Sequence, residues 1–135
     1  GFMFSEDKSK VALIRKQKPI WQKGKLNGVG GKIDRDENEM DTMVREFEEE
    51  TGYSTNRLQW RRLVKLIGWN GSEEWKVYFF YTFDNNIEKL KTVEEETIEI
   101  HKTIDLYKLD VIPNLLWLIP MALTESTKYS TVYSS

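Results

Sequence analysis

The chain has no cysteine, and this absence excludes both a disulfide framework and any metal site built from thiolates. Its single histidine, His101, leaves little room for a histidine-based metal centre or catalytic triad. No apolar run approaches the ~20 residues that a membrane-spanning helix needs. No signal-peptide pattern precedes the first predicted strand. We therefore expect a soluble, cytoplasmic protein with no membrane association.

A strong excess of one charge is missing as well. The 135 residues include 22 acidic and 20 basic side chains, which gives a formal net charge of −2. Mixed charge of this kind argues against a nucleic-acid scaffold, so we expect no DNA binding. The length suits one domain with a core that needs no disulfide or structural metal, as a monomer or a homodimer.

What the sequence does contain is an alternation of strand-like and helix-like patterns. Apolar runs predict strands over residues 2–4, 11–16, 60–69, 74–83 and 94–100. Helical spacing predicts helices over residues 39–51 and 113–123, with Pro120 as an irregularity in the second. This order indicates a single layered α/β or α+β domain over residues 1–123. Residues 124–135 form a polar tail for which disorder is one expectation.

Local signals refine this layout. The dipeptide Asn70-Gly71 favours a tight hairpin between the third and fourth predicted strands. The fourth strand carries aromatic side chains on both faces, so we expect it to be central and covered on both sides. A loop over residues 18–31 precedes the first helix, and its four glycines permit close approaches that side chains would block.

The first predicted helix carries three carboxylates beside its buried face. An apolar stripe recurs at helical spacing through Met40, Met43, Val44, Phe47 and Thr51. At about 100° per residue, the side chains at about −60°, −100° and −160° from the centre of that stripe are Glu50, Glu46 and Glu49. These three residues, which we call the glutamate flank, can face a cleft while the helix packs.

Like charges on one flank repel, at a few tenths of a kcal/mol for each close pair on a helix. Hard divalent cations offset that repulsion, and Mg²⁺ binds carboxylates together with substrate phosphates. The guanidinium fork of Arg45 could hold one carboxylate in place. The alternative is a solvated acidic face in which Glu residues serve as good helix formers.

The spacing around this helix resembles the Nudix box, in which a glycine turn leads into a helix with Arg-Glu and Glu-Glu pairs. All of its defined positions are matched, by Gly31, Glu37, Arg45, Glu46, Phe47, Glu49, Glu50, Gly52 and Tyr53. The resemblance implies a Nudix-type α/β/α sandwich with a central mixed sheet. It also implies a hydrolase of a nucleoside diphosphate linked to some group X, with Mg²⁺ or Mn²⁺ as its cofactor.

Carried over residue by residue, the resemblance assigns the glutamate flank as metal ligands, with the Gly30 carbonyl completing a metal shell. Glu46 is also the candidate base that activates water. The implied catalytic residues are therefore Glu46, Glu49 and Arg45.

Supporting roles follow from the same resemblance. Arg45 would orient the glutamates together with Glu37. Many Nudix enzymes take a further acidic ligand from a loop after the hairpin, where this chain has Glu94, Glu95 and Glu96. By spacing to the last helix, Glu95 is the first choice for that ligand and Glu96 the second. The alternative is that these are solvated loop glutamates.

The glycine-rich loop narrows the substrate. Residues 27–32 read Asn-Gly-Val-Gly-Gly-Lys, which resembles the animal enzymes that hydrolyse oxidised purine nucleoside triphosphates. Asn27 would then contact the base, since an amide both donates and accepts, with a turn-forming role as the alternative. Gly30, Gly31 and Lys32 would meet the substrate beside it.

A second similarity lies at the two prolines of residues 113–120, where those enzymes read the purine with an acidic pair. Here the pair is Asn114 and Leu115. Asn114 remains a candidate substrate contact, but a leucine forms no hydrogen bond to a base, which argues against tight 8-oxopurine recognition.

Other residues have two open interpretations. Trp21 and Trp117 could stack on a base, or they pack in the core or at its rim. Three basic side chains could meet phosphates or be solvated: Arg15, Lys16 and Lys23. Residues 64–74 lack the downstream proline of ADP-ribose enzymes and the tyrosine of diadenosine polyphosphate enzymes, which disfavours both branches.

Three functional hypotheses result. The first is cleavage of a nucleoside or deoxynucleoside triphosphate, including an oxidised purine such as 8-oxo-dGTP, to the monophosphate and pyrophosphate. The second is a Nudix hydrolase of another diphosphate, such as a nucleotide sugar, ADP-ribose or a capped RNA end. The third is a non-catalytic Nudix module that binds a nucleotide.

Overall fold

The computed structural model describes residues 1–125 and 130–134, and its centre is a mixed seven-stranded sheet. The strands are β1 (Phe2–Phe4), β2 (Lys10–Arg15), β3 (Leu26–Asn27), β4 (Arg61–Asn70), β5 (Glu73–Phe83), β6 (Thr97–Lys102) and β7 (Ser130–Tyr133). The two α-helices are α1 (Glu39–Thr51) and α2 (Leu115–Thr124). A short 3₁₀ helix, Ile20–Gln22, lies in the loop before β3.

The sheet is mixed because β1 pairs antiparallel with β2 and parallel with β5. β5 continues into an antiparallel hairpin with β4, and β7 adds to β4 in parallel. β6 pairs with the whole length of β2 along one edge. On the opposite edge of β2, β1 pairs with the first half and β3 with the end. The sheet therefore has a gap between β1 and β3 along this edge of β2, and the glycine-rich loop leaves the sheet at that gap.

The two helices cover opposite faces of the sheet. One buried cluster joins α1 to the sheet through Met43 and Phe47, which pack with Met3, Ile14 and Phe80. The other cluster contains the buried residues of α2 and the opposite side chains of the sheet: Phe2, Phe4, Leu13, Phe79, Tyr81, Leu115, Leu118 and Ile119. This arrangement confirms the predicted α/β/α sandwich.

Local signals define the ends of α1. The side chain of Asn38 accepts a hydrogen bond from the Asp41 amide, which satisfies a donor of the first turn. Gly52 ends the helix in the left-handed conformation, with φ of 72°. The predicted helix over residues 39–51 has these same bounds, and Pro120 lies inside α2 as expected.

The β4–β5 hairpin differs from its prediction in one respect. β5 lies between β1 and β4, so its central position is confirmed. Within β5, however, only Tyr81–Phe83 pair with β1. The first five residues of β5 are exposed. Coverage on both sides was therefore the wrong expectation for that half of the strand, where β4 is its only partner in the described sheet.

The tail shows a further difference. Disorder was one expectation for residues 124–135, yet Ser130–Tyr133 forms β7 and pairs with β4 from Val64 to Ile67. Residues 126–129 and 135 lie outside the described part of the chain, and a domain boundary at 123 stays a prediction. Across residues 1–125 and 130–134, no helix has the length and apolar character to cross a membrane.

Candidate metal and nucleotide site

The glutamate flank lies at the edge of α1, beside the side chains that the helix buries. The side chain of Glu46 is 14% exposed and that of Glu49 is 49% exposed. One carboxylate oxygen of Glu50, Oε2, is buried. The structure thus places the three carboxylates between the core and solvent, as the helical angles predicted.

Arg45 connects these carboxylates to the loop before the helix. Its Nε and Nη2 donate to the two oxygens of Glu37, at 2.8 and 2.9 Å. Its Nη1 donates to Glu46 at 2.9 Å and to Glu49 at 3.1 Å. Its Nη2 also donates to the Lys32 carbonyl at 3.2 Å. The predicted association of Arg45 with Glu37 and the glutamates is present, and one guanidinium fixes both segments.

This arrangement strongly favours the ionised form of Glu37. The hydrogen bonds from Arg45, followed by the one from the Thr42 hydroxyl, lower the pKa of Glu37 to about 2. The hydrogen bonds of Arg45 to Glu37, and then to Glu46 and Glu49, raise the pKa of Arg45. Glu37 and Arg45 therefore act as a fixed ion pair at neutral pH.

We expect Glu37→Gln to destabilise the fold in a pH-dependent manner. Because the folded-state pKa is lowered, the contribution of Glu37 is complete above the unfolded pKa of about 4.5 and is lost as the pH falls towards 2. Urea unfolding should show a constant difference from wild type at pH 6–8 that shrinks below pH 4.5. Glu48→Gln, an exposed change on the same helix, is the control. A difference independent of pH would contradict this role.

Glu50 has an unsatisfied carboxylate oxygen. Within residues 1–125 and 130–134, its buried Oε2 has no hydrogen-bond partner. Burial raises the pKa of Glu50, and the neighbouring carboxylates of Glu46, Glu94 and Glu96 raise it further. Buried polar atoms are almost always satisfied, so a cation is a suitable partner for this oxygen.

Gly31 lies against the carboxylate of Glu46. A Cβ at residue 31 would lie 2.5 Å from both Oε1 and Oε2 of Glu46, closer than any real Cβ contact. At Gly30 a Cβ would meet nothing within 4 Å. The lack of a side chain at residue 31 therefore lets the loop backbone approach this carboxylate closely.

The site fits a hard divalent cation in its donor chemistry, since the candidate donors are carboxylate oxygens and the Gly30 carbonyl. Within the described residues, no three carboxylate or imidazole groups are gathered closely enough to form a metal-binding cluster. Glu46 and Glu49 instead both accept hydrogen bonds from Nη1 of Arg45.

The loop before β6 brings other glutamates than expected towards the flank. The charges that act on Glu50 include those of Glu94 and Glu96, while Glu95 is exposed. Glu96 is held by Lys16, whose Nζ donates to its Oε1 at 2.8 Å. Glu94 is exposed as well, so exposure separates only Glu96 from Glu95, and the choice of Glu95 as the further ligand stays a prediction.

A cleft of about 990 Å³ reaches Gly31, whose backbone lies against Glu46, although the three glutamates of the flank are not among its lining residues. Its walls come from the glycine-rich loop, the N-terminal part of α1, the β4–β5 hairpin and the residues just before α2. The predicted substrate contacts that line it are Asn27, Gly30, Gly31, Lys32 and Asn114. Lys23 is exposed and is not among the lining residues, so the prediction of a substrate contact there is not supported.

The two asparagines that were predicted to contact the substrate differ in their contacts. Asn27 donates to Gln22 Oε1 at 3.1 Å, and its Oδ1 accepts from the Gly28 amide at 2.8 Å. Asn27 is the last residue of β3, and these two contacts hold its side chain against neighbouring residues. Asn114 has a buried Oδ1 without a partner among the described residues. An acceptor buried in a cleft wall is suited to a donor on a ligand.

The two tryptophans considered for stacking on a base differ in position. Trp21 lines the cleft and is 63% exposed, whereas Trp117 lies on α2 outside the lining set. Sequence reasoning missed Gln22 and Trp75, which also line the cleft. The indole of Trp75 lies against Gly68, its partner in the hairpin. The two strands join through Gly71-Ser72, so counting out from a turn centred on Asn70-Gly71 would have paired Gly68 with Glu73 instead. His101 binds Glu99 Oε1 at 2.8 Å on β6, in keeping with a structural role.

Solved structures share this fold at low sequence identity. A MutT protein of Bacillus halodurans is 19% identical, with a TM-score of 0.73 over 99% of this chain and 86% of that one. The Nudix domain of Shewanella oneidensis NrtR, solved with ADP-ribose, is 17% identical, with a TM-score of 0.69 over 93% and 84%. An Ap4A hydrolase of Caenorhabditis elegans is 16% identical, with a TM-score of 0.68 over 91% and 90%.

Comparisons of the sequence find fewer matches than comparisons of the fold. No curated protein matches the chain closely enough to count as a relative. The family model of the NUDIX domain, however, matches residues 1–119, which include the box, the cleft and both walls of the sandwich. The chain therefore belongs to the Nudix family.

Proposed function

We propose that the protein is a Mg²⁺-dependent pyrophosphohydrolase that cleaves a nucleoside or deoxynucleoside triphosphate to the monophosphate and pyrophosphate. Mn²⁺ is an alternative cofactor, and oxidised purines such as 8-oxo-dGTP are one candidate class of substrate. The observation that carries the proposal is that Arg45 holds two carboxylates of the glutamate flank, those of Glu46 and Glu49, while the buried Oε2 of Glu50 is unsatisfied among the described residues.

The residues that would hold the cation are the glutamate flank and the Gly30 carbonyl, with Glu94 or Glu96 near them. A bound divalent cation neutralises phosphate oxygens and lowers the pKa of water. Glu46 is the proposed base that takes the proton from the attacking water, because its carboxylate is held between Arg45 and Gly31. Arg45 holds Glu46 and Glu49 through hydrogen bonds from its Nη1.

The cleft supports a nucleotide with hydrogen-bonding edges. Asn114 offers a buried acceptor, and Asn27 lies in the same cleft with an amide that can exchange partners. Trp21 offers an exposed aromatic face in the same wall. A purine base supplies both donors and acceptors to such a pair of amides.

A second candidate is hydrolysis of another nucleoside diphosphate linked to X. The observation that favours it is the extent of the cleft, which continues along the exposed hairpin to Trp69 and Trp75. Structural neighbours named for ADP-ribose and Ap4A share the fold, which is compatible with such substrates. A non-catalytic module is the weaker alternative, because all box glutamates are present.

Product analysis separates these candidates. We expect purine nucleoside triphosphates with Mg²⁺ to yield the monophosphate and pyrophosphate without orthophosphate. The panel should include unmodified and oxidised triphosphates, ADP-ribose, a nucleotide sugar, a dinucleoside polyphosphate and a capped RNA end. A higher kcat/KM for any non-triphosphate would overturn the first proposal in favour of the second. Tight binding of a nucleotide with no turnover under Mg²⁺ or Mn²⁺ would favour the non-catalytic module.

Three other expectations stay predictions of the sequence: a cytoplasmic location, no binding to DNA, and a monomeric or homodimeric state. Size-exclusion chromatography with light scattering would measure the last of these.

A further inference from the structure

A partly buried ion pair lies where β2 and β6 meet the cleft. Lys16 follows β2 and Glu96 precedes β6, and the adjacent residues Arg15 and Thr97 are partners in the sheet. Lys16 Nζ donates to Glu96 Oε1 at 2.8 Å. The two side chains are only 20% and 12% exposed, so solvent screens this pair less than the surface pairs of the protein.

Glu96 makes further contacts that fix its orientation. Its Oε2 accepts from the backbone amide of Gln17 at 2.6 Å and from that of Lys18 at 3.4 Å. Both oxygens are therefore used, and both bind the segment that contains Lys16. The carboxylate holds the chain in place where it leaves β2.

Lys16 lines the cleft and its charge acts on Glu50, so the ammonium lies on the same side as the glutamate flank. An ammonium has three donors. Within residues 1–125 and 130–134, Glu96 is the hydrogen-bond partner found for it. Donors therefore remain for an anionic group inside the cleft.

We propose that Glu96 is a positioning residue that holds the Lys16 ammonium at the cleft wall, where Lys16 contacts a phosphate group of the substrate. This inference rests on the proposed function. In this proposal Glu96 is not a metal ligand, because a cation bound to Glu96 would lie beside the Lys16 ammonium and be repelled by it.

A double-mutant cycle tests the coupling. Lys16→Met and Glu96→Gln should each raise KM roughly tenfold with little change in kcat, since a contact made equally to substrate and transition state affects binding alone. The double variant should have a KM no higher than that of Lys16→Met, because Glu96 acts through Lys16. Lys16→Arg should restore most of the affinity. Lys18→Met, an exposed change two residues away, is the matched control.

Two binding measurements need no turnover. Calorimetry with inorganic pyrophosphate and Mg²⁺ should show weaker binding in Lys16→Met and in Glu96→Gln, so the test stands even if triphosphates are not the substrate. Mn²⁺ binding without nucleotide, followed by electron paramagnetic resonance, should be unchanged in Glu96→Gln.

Weaker Mn²⁺ binding in Glu96→Gln would overturn the proposal and make Glu96 a metal ligand. A loss of pyrophosphate affinity in Glu96→Gln that Lys16→Met does not share would do the same. Unchanged pyrophosphate binding in Lys16→Met would overturn it as well. If Glu96→Gln does not fold, Lys16→Met and Lys16→Arg decide the phosphate contact, and Glu96→Asp replaces the failed variant.

Discussion

Replacing Glu46 with Gln is expected to lower kcat by about 10²–10⁴-fold, the range typical for loss of a positioned acid or base. The amide keeps the size of the side chain and an oxygen that can accept from Arg45 Nη1. It has no charge for a cation and no basic oxygen to take a proton from water. The fold should therefore survive while turnover in Mg²⁺ is lost.

Glu48→Gln provides the matched control for this prediction. Glu48 lies two residues further along α1 and is exposed, so its substitution removes the same charge from the same helix. Thermal unfolding should be similar in wild type and both variants, and only Glu46→Gln should lose activity. Wild-type kcat in Glu46→Gln would contradict the role given to Glu46.

The parts of the fold that could be predicted are those fixed by local patterns. α1 has the predicted bounds because Asn38 and Gly52 define its ends within one turn of the apolar stripe. The pairing of β7 with β4 depends on a partner some 66 positions away in sequence, at Val64 and Ser130, and no local pattern in a polar segment indicates it. Burial of only half of β5 likewise follows from where β1 pairs with it.

The same distinction holds within the site. Fixed helical spacing indicated that Arg45, Glu46 and Glu49 lie together, and the structure shows them in one hydrogen-bonded group. The choice between Glu95 and Glu96 depends on the loop, where a shift of one residue separates an exposed side chain from a partly buried one. Spacing along the chain could not reveal that Glu96 is already bound to Lys16.

The approach of Gly31 to Glu46 leads to the second large effect. Gly31→Ala should lower kcat by about 10²-fold, because a displacement of about 1 Å in a catalytic group can cost that much. The backbone at Gly31 does not have positive φ, so alanine introduces no strain there. The added methyl would meet the carboxylate of Glu46, the far end of a flexible side chain, which can move at little cost in stability. The melting temperature should thus change little while activity falls.

The neighbouring glycine separates this explanation from a general effect on the loop. Gly30 also lacks positive φ, and a Cβ there would meet nothing within 4 Å. Gly30→Ala leaves its backbone carbonyl in place and should lose far less activity than Gly31→Ala, with kcat and thermal unfolding measured for both. Equal losses would show that the loop tolerates no side chain at either position, and they would contradict a specific contact with Glu46. A large loss at Gly31 alone, with stability retained, would support the view that glycine is needed there for the position of one carboxylate.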